Sequence, residues 1–152
     1  MKFIYNDGGR EKAGYKGKAG DCVTRAIAIV MQLPYEEVYN SLHKLIYNYS
    51  LEHNDKVSKR IISRGSRGLT PRNGISKPVF HPWLILNGFM WKPCMAIGSG
   101  CKVHLKDGEL PGGRILARVS KHLVAVIDGV INDIHDCSRG GTRCVYGYYY
   151  IK

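Results

Sequence analysis

The chain has 152 residues, a formal net charge of +11 and 44% hydrophobic residues, which is the composition of one globular domain, 1–152, with a real core. No apolar run is long enough to span a bilayer, and the N-terminal "MKFIYNDGG" becomes polar too early for a signal peptide. These features exclude a transmembrane or membrane-bound role. They predict a cytoplasmic protein in a reducing compartment.

In chain order, the first twenty residues hold five glycines and predict a short strand or arm followed by a loop. The stretch "AGDCVTRAIAIV", residues 19–30, predicts a helix that Asp21 caps and that has Cys22 in its first turn. Because this helix is apolar on nearly every side, we expect it to be central and buried. A second helix begins near Pro34, with its apolar side chains at helical spacing, and ends near Tyr49.

The second half of the chain alternates turn signals with apolar segments. A short helix is predicted at about 80–86, ended by Asn87-Gly88, and strands are predicted at 114–120, 122–128, 129–136 and 144–152. Asp128-Gly129 is a strong hairpin signal. Helices followed by an antiparallel sheet predict an α+β domain, in which the N-terminal helices pack on a C-terminal antiparallel sheet.

Positive charge is concentrated in one part of the chain. Between Lys56 and Lys106 there are ten lysines or arginines and no acidic residue. A basic, flexible loop is predicted at about 50–78. We expect an acidic protein, a nucleotide-like ligand or nucleic acid to bind through residues 56–106. For residues 56–77, a solvated mobile loop is an equal alternative. The candidate partner-binding residues are Lys59, Arg60, Arg64, Arg67 and Arg72.

The chain has five cysteines, an odd number that argues against a disulfide framework when no secretion signal is present. Cys94, Cys101, Cys137 and Cys144 include no C-x-x-C pair, so the spacing does not support a zinc site. We expect these four to pack in the core or in strands, and we expect no metal and no cofactor.

Cys22 is the candidate for chemistry. A thiol at a helix N-terminus has a lowered pKa, and a neighbouring imidazolium lowers it further. His122 begins an apolar strand and is the candidate base. If Asp128 and Gly129 form the turn, His122 and Asp133 lie on the same face of the hairpin as diagonal neighbours. Asp133 is then placed to orient the imidazole. His135 lies on the same face and is a candidate either to assist Asp133 or to take its orienting role.

A cysteine on an early helix, a histidine on a late strand and an acid on the next strand resemble the papain-like cysteine peptidase superfamily. The chain also resembles small phage and bacterial proteins of this fold, in the segments "GYKGKAGDCVTRAIAI", "PYEEVYNSL", "IGSGCKVHL" and "RVSKHLVAVIDGVINDIHD". The resemblance implies a papain-like fold, with Cys22 as nucleophile, His122 as general base and Asp133 as orienting group. If the chain is phage-encoded, its location is the host cytoplasm.

The resemblance also implies an oxyanion hole, for which the backbone N–H of Cys22 is one donor. Papain-like enzymes usually add a glutamine a few residues before the cysteine, but "YKGKAGD" contains none. Asn6 is the proposed substitute, and a turn-forming role for Asn6 is an equal alternative. The reaction implied is cleavage of a peptide, isopeptide or side-chain amide through a thioester.

Two classes of function stay open at this point. The favoured one is a cysteine peptidase or related amidase that acts on a peptide or protein. The other is a papain-like scaffold that binds, for example a phage inhibitor of a host defence system that uses its basic surface. Sequence-specific DNA binding ranks lower because the sequence has no helix-turn-helix or zinc-finger pattern. A zinc hydrolase also ranks lower because no recognisable ligand spacing is present.

Overall fold

The computed structural model describes residues 1–151 as one α+β domain with four α-helices and six strands. The α-helices are α1 (Cys22–Met31), α2 (Tyr35–Glu52), α3 (Lys56–Ser63) and α4 (Lys77–Leu86), with a 3₁₀ turn at Gly65–Arg67. The strands are β1 (Lys2–Tyr5), β2 (Phe89–Pro93), β3 (Arg114–Val119), β4 (His122–Ile127), β5 (Val130–Asp133) and β6 (Gly147–Ile151). None of the helices within residues 1–151 is both long and apolar enough to cross a bilayer.

The six strands form one sheet in the order β1-β5-β4-β3-β6-β2. The predicted antiparallel sheet is wrong in one respect, because β1 pairs with β5 in parallel and makes the sheet mixed. The other pairings are antiparallel. Nothing local in the sequence marks the β1–β5 pairing, which joins the first strand to the fifth.

Both faces of the sheet are covered, as the alternation of buried side chains along β3 and β4 shows. Leu116, Leu123 and Ala125 belong to the core cluster that packs under the helices. Ile115, Ala117, Val124 and Val126 belong to a second cluster, which is closed by residues of the long connections such as Leu105, Cys137 and Val145. Helix α1 packs against β4 and is buried from Val23 to Val30, as its apolar sequence predicts.

The hairpin prediction is confirmed in type and register. Asp128 and Gly129 both have positive φ, as a tight two-residue hairpin turn requires. Ile127 is paired with Val130, and Ala125 with Asn132. This register brings the start of β4 and the end of β5 to the same place.

The predicted loop at about 50–78 is wrong for most of its length. The segment contains α3, the 3₁₀ turn and the first residues of α4. Asp55 caps α3, since its carboxylate accepts from the backbone N–H of Ser58 while the Ser58 hydroxyl interacts with the N–H of Asp55. Val57 and Ile61 turn inward against the core. The first part of the basic segment is therefore an amphipathic helix, α3, whose charged side chains are exposed.

The prediction that no cysteines are bridged is also wrong, because Cys101 and Cys144 form a disulfide. Their chain segments are already adjacent, since His104 and Cys144 form an isolated β-bridge. Such a bond is atypical of the reducing cytosol expected from the sequence. Cys22, Cys94 and Cys137 are free thiols.

Candidate active site

Cys22 is the first residue of α1, as predicted, and its side chain is partly exposed. Asp21 occupies the N-cap position, but its carboxylate accepts no helix N–H; the predicted side-chain cap is therefore wrong. Its backbone carbonyl instead accepts from the N–H of Arg25. Among residues 1–151, no hydrogen bond uses the backbone N–H of Cys22. A free N–H beside a thiol is what an oxyanion hole requires.

His122 and Asp133 meet as the hairpin register predicts. The Nε2 atom of His122 lies 2.6 Å from Oδ2 of Asp133, which is the length of a charge-assisted hydrogen bond. The other carboxylate oxygen of Asp133 accepts from the backbone N–H of Ile134 at 2.7 Å. Asp133 is buried, so the pair is held in a fixed geometry away from water.

The thiol of Cys22 and the imidazole of His122 line the same cleft, and each shifts the pKa of the other. Burial works against the Cys22 thiolate, yet the pKa of Cys22 is lowered overall, because His122 hydrogen-bonds to the sulfur and adds positive charge. Burial also works against the imidazolium, but hydrogen bonds to Asp133, Cys137 and Cys22 raise the pKa of His122 to about 11. Both shifts favour a thiolate–imidazolium ion pair.

Arg25 is a site residue that the sequence interpretation missed. It lies one turn after Asp21 in α1 and is 2% exposed. Its guanidinium pairs with the carboxylate of Asp21 and lies 3.4 Å from Oδ1 of Asp133. Asp21 also accepts from Nε of Arg10 at 3.0 Å and from the hydroxyl of Tyr35. An arginine in an otherwise apolar helix, four residues after an aspartate, was the available signal.

This buried network supports the ionised form of Asp133. Burial would raise the pKa of that carboxyl, but the hydrogen bond and charge of His122, the N–H of Ile134 and the charge of Arg25 lower it overall. Asp133 is therefore a carboxylate that holds the His122 ring in place.

The two predicted assisting residues differ in placement. Asn6 is held in a turn: its Oδ1 accepts from the N–H of Gly8 at 2.9 Å, and its Nδ2 donates to Asn132 at 3.2 Å. These contacts match the turn-forming alternative rather than an oxyanion donor. His135 is exposed, and its ring centre lies 5.7 Å from that of His122.

A metal ion has one candidate location in the described part of the chain. Ligand atoms of His122, Asp133 and His135 all lie within 4.8 Å of one another. Binding there would require breaking the hydrogen bond between His122 and Asp133, and the charge of Arg25 opposes a cation. The arrangement fits a base with its orienting acid better than a ligand set.

Cys22 lies where two cavities meet. The first has a volume of about 200 Å³ and is lined by arginines and aliphatic side chains; the second is an open cleft of about 730 Å³ that includes His122 and His135. Arg60, Arg64 and Arg67 line the first cavity, and Arg72 lines the second. Lys59 is exposed on α3 but lines neither.

The walls of these cavities depend on a close backbone contact. Gly20 forms a parallel bridge with Asn73, and a Cβ atom at position 20 would lie 2.4 Å from the carbonyl oxygen of Arg72. Only glycine permits this approach. The Arg72 side chain also donates to the carbonyl of Lys16 and lies over the ring of Tyr15. It therefore helps to hold the N-terminal loop in place.

In comparisons with known proteins, no family model, no curated protein and no solved structure matches this chain.

Proposed function

We propose that this protein is a cysteine hydrolase with a papain-like fold that cleaves a peptide or related amide bond through a thioester. The observation that carries the proposal is that Cys22, at the start of a buried helix, and His122, which is bonded to Asp133, line the same cleft. The order of these residues along helix, strand and next strand supports the resemblance to papain-like peptidases. The cleft that passes beside Cys22 supports a polymeric substrate.

In the proposed reaction, the Cys22 thiolate attacks the carbonyl carbon and the carbonyl oxygen becomes an oxyanion beside the Cys22 N–H. The carbon–nitrogen bond then breaks as His122 gives its proton to the leaving amine. Water next gives a proton to His122 and attacks the thioester. The carbon–sulfur bond breaks, which releases a carboxylic acid and restores the Cys22 thiolate and the His122 imidazolium. Asp133 keeps the imidazole in one orientation through both steps.

The test is the pH dependence of iodoacetamide alkylation, followed by mass spectrometry at the three free thiols. We expect Cys22 to react well below the reference pKa of about 8.5. Cys94 is an internal control, because burial raises the pKa of its thiol. In His122→Ala, Cys22 alkylation at pH 6 should fall about tenfold or more, since one unit of pKa changes the thiolate fraction about tenfold.

The matched control is His104→Ala, which removes a partly exposed histidine that contacts Glu109 at 3.3 Å. It should leave the Cys22 profile unchanged. A Cys22 profile that matches Cys94, or that is the same with and without His122, would contradict the catalytic proposal.

A binding function is the second candidate, and the exposed arginines beside Cys22 are the observation that favours it. A binder would tolerate Cys22→Ala and lose its function when Arg60, Arg64 and Arg67 are neutralised together. A hydrolase would lose all turnover with Cys22→Ala. The two variants therefore separate the two functions in any assay of cellular effect.

A further inference from the structure

The smaller cavity beside Cys22, here called the basic groove, combines two kinds of surface. Its base is aliphatic and formed by core residues, among them Ile46, Ile61 and Val79, which are at most 9% exposed. Its rim is positively charged. The rim residues are Arg60, Arg64, Arg67, Arg118 and Lys121.

The rim charges are not neutralised by the protein. Within residues 1–151, none of the five rim side chains forms a salt bridge, and no aspartate or glutamate lines the groove. Three of the arginines come from α3, its C-cap and the 3₁₀ turn, and Asp55 caps the start of α3. Fixed cations without a partner are complementary to an anionic ligand.

The shape of the groove favours a polypeptide over a nucleic acid. No aromatic side chain lines it, whereas proteins that bind single-stranded nucleic acid stack bases on aromatic rings. Its volume of about 200 Å³ is below the roughly 300–1,000 Å³ of ordinary small-molecule pockets. An aliphatic base of this size fits one branched side chain.

We propose that the basic groove selects an acidic polypeptide segment in which an aliphatic side chain enters the groove and flanking carboxylates pair with the rim arginines. This proposal rests on the proposed function, because it assigns the substrate class of the same site. The reactive carbonyl then lies beside Cys22, which also lines the groove. The preference is for glutamate or aspartate next to leucine, isoleucine or valine.

The test is fluorescence anisotropy with labelled peptides and the Cys22→Ala protein, which cannot turn them over. The probe is Glu-Glu-Leu-Gly-Glu-Glu, compared with a peptide in which glutamine replaces each glutamate and one in which serine replaces leucine. We expect both replacements to weaken binding about tenfold or more. A single-stranded oligonucleotide and a short RNA duplex are the nucleic-acid probes, and both should bind more weakly than the acidic peptide.

The variant pair is Arg60→Gln/Arg64→Gln against Lys56→Gln/Lys59→Gln. Both remove two charges from α3 and its C-cap, but only the first pair lies at the groove. We expect the first to weaken acidic-peptide binding about tenfold and the second to change it less than about twofold, since only contacts at the groove are lost. Equal losses in both pairs would show a nonspecific charge effect and overturn the proposal.

The remaining outcomes separate this proposal from the hydrolase proposal. Tighter oligonucleotide binding, or no preference for the acidic peptide, overturns the polypeptide assignment and leaves Cys22 chemistry untouched. Selective peptide binding combined with an inert Cys22 supports the groove and contradicts the hydrolase. The alkylation experiment and the binding experiment thus fail independently.

Discussion

Two groups of positive charge lie next to Cys22, and they differ in how their charge is balanced. In the buried network, Arg10, Arg25 and His122 pair with the carboxylates of Asp21 and Asp133. In the basic groove, the five rim cations face no carboxylate of residues 1–151. The first group is largely buried and its charges are paired; the rim of the second is mostly exposed.

The difference indicates what each group is for. Buried charge is stable only when it is paired, so the network fixes geometry: it orients Asp133, which orients His122. Exposed charge without a partner contributes little to folding but attracts a ligand. Removing a charge should therefore affect stability at the network and recognition at the groove.

The largest expected effect is in the network. Arg25→Met should lower the free energy of unfolding by about 3–5 kcal/mol, because it leaves the buried Asp21 and Asp133 with less compensation. Urea denaturation measures this. Arg60→Met, in the groove rim, is the matched control and should change stability by less than about 0.5 kcal/mol. Similar losses in the two variants would abolish the distinction between the groups.

In the buried network, the pairing of His122 with Asp133 can be predicted from the sequence, but the contact of Arg25 with Asp133 cannot. Asp128-Gly129 is a local turn signal, and it fixes the strand register that joins His122 to Asp133. The contact of Arg25 with Asp133 spans 108 residues, and no local pattern encodes such a pairing. The parallel pairing of β1 with β5 is unpredictable for the same reason.

At the basic groove, by contrast, local sequence signals were present and the prediction was still wrong. High charge made residues 50–78 look like a loop, although Asp55 and Ser58 have the spacing of a capping box and Val57 and Ile61 have helical spacing. These signals were present but were outweighed by the seven basic residues between Lys56 and Lys77, a stretch with no acid. A helix with one buried face tolerates any charge on the other, so net charge alone does not decide between helix and loop.

An intermediate effect is expected at Gly20, where the two groups meet. Gly20 precedes Asp21 and contacts the Arg72 carbonyl. Gly20→Ala should destabilise the protein by about 1–3 kcal/mol through overpacking and displace the wall at 72–74. Thermal unfolding measures the loss. Gly112→Ala is the control, since its Cβ would meet nothing closer than 3.6 Å. Equal stability of the two variants would show that the contact at Gly20 is dispensable.

The smallest expected effect is a change in the pH dependence of stability, and it separates the network from the groove most sharply. The raised pKa of His122 adds stability that is complete below about pH 6.5 and is lost as the pH rises toward about 11. The lowered pKa of Cys22 adds stability that is complete above about pH 8.5 and is lost as the pH falls.

These two slopes oppose each other between about pH 6.5 and 8.5, and they cancel wherever the folded ion pair and the unfolded neutral pair bind the same number of protons. The wild type should therefore show a plateau there. In Cys22→Ala only the His122 slope remains, so the free energy of unfolding should fall by about 1–2 kcal/mol across that range.

Arg60→Gln should keep the wild-type plateau, because the groove does not contribute to the ion pair. Urea denaturation at closely spaced pH values measures all three proteins. A plateau that survives in Cys22→Ala would mean that Cys22 and His122 do not share a proton, and the network would then be a structural ion cluster rather than a catalytic one.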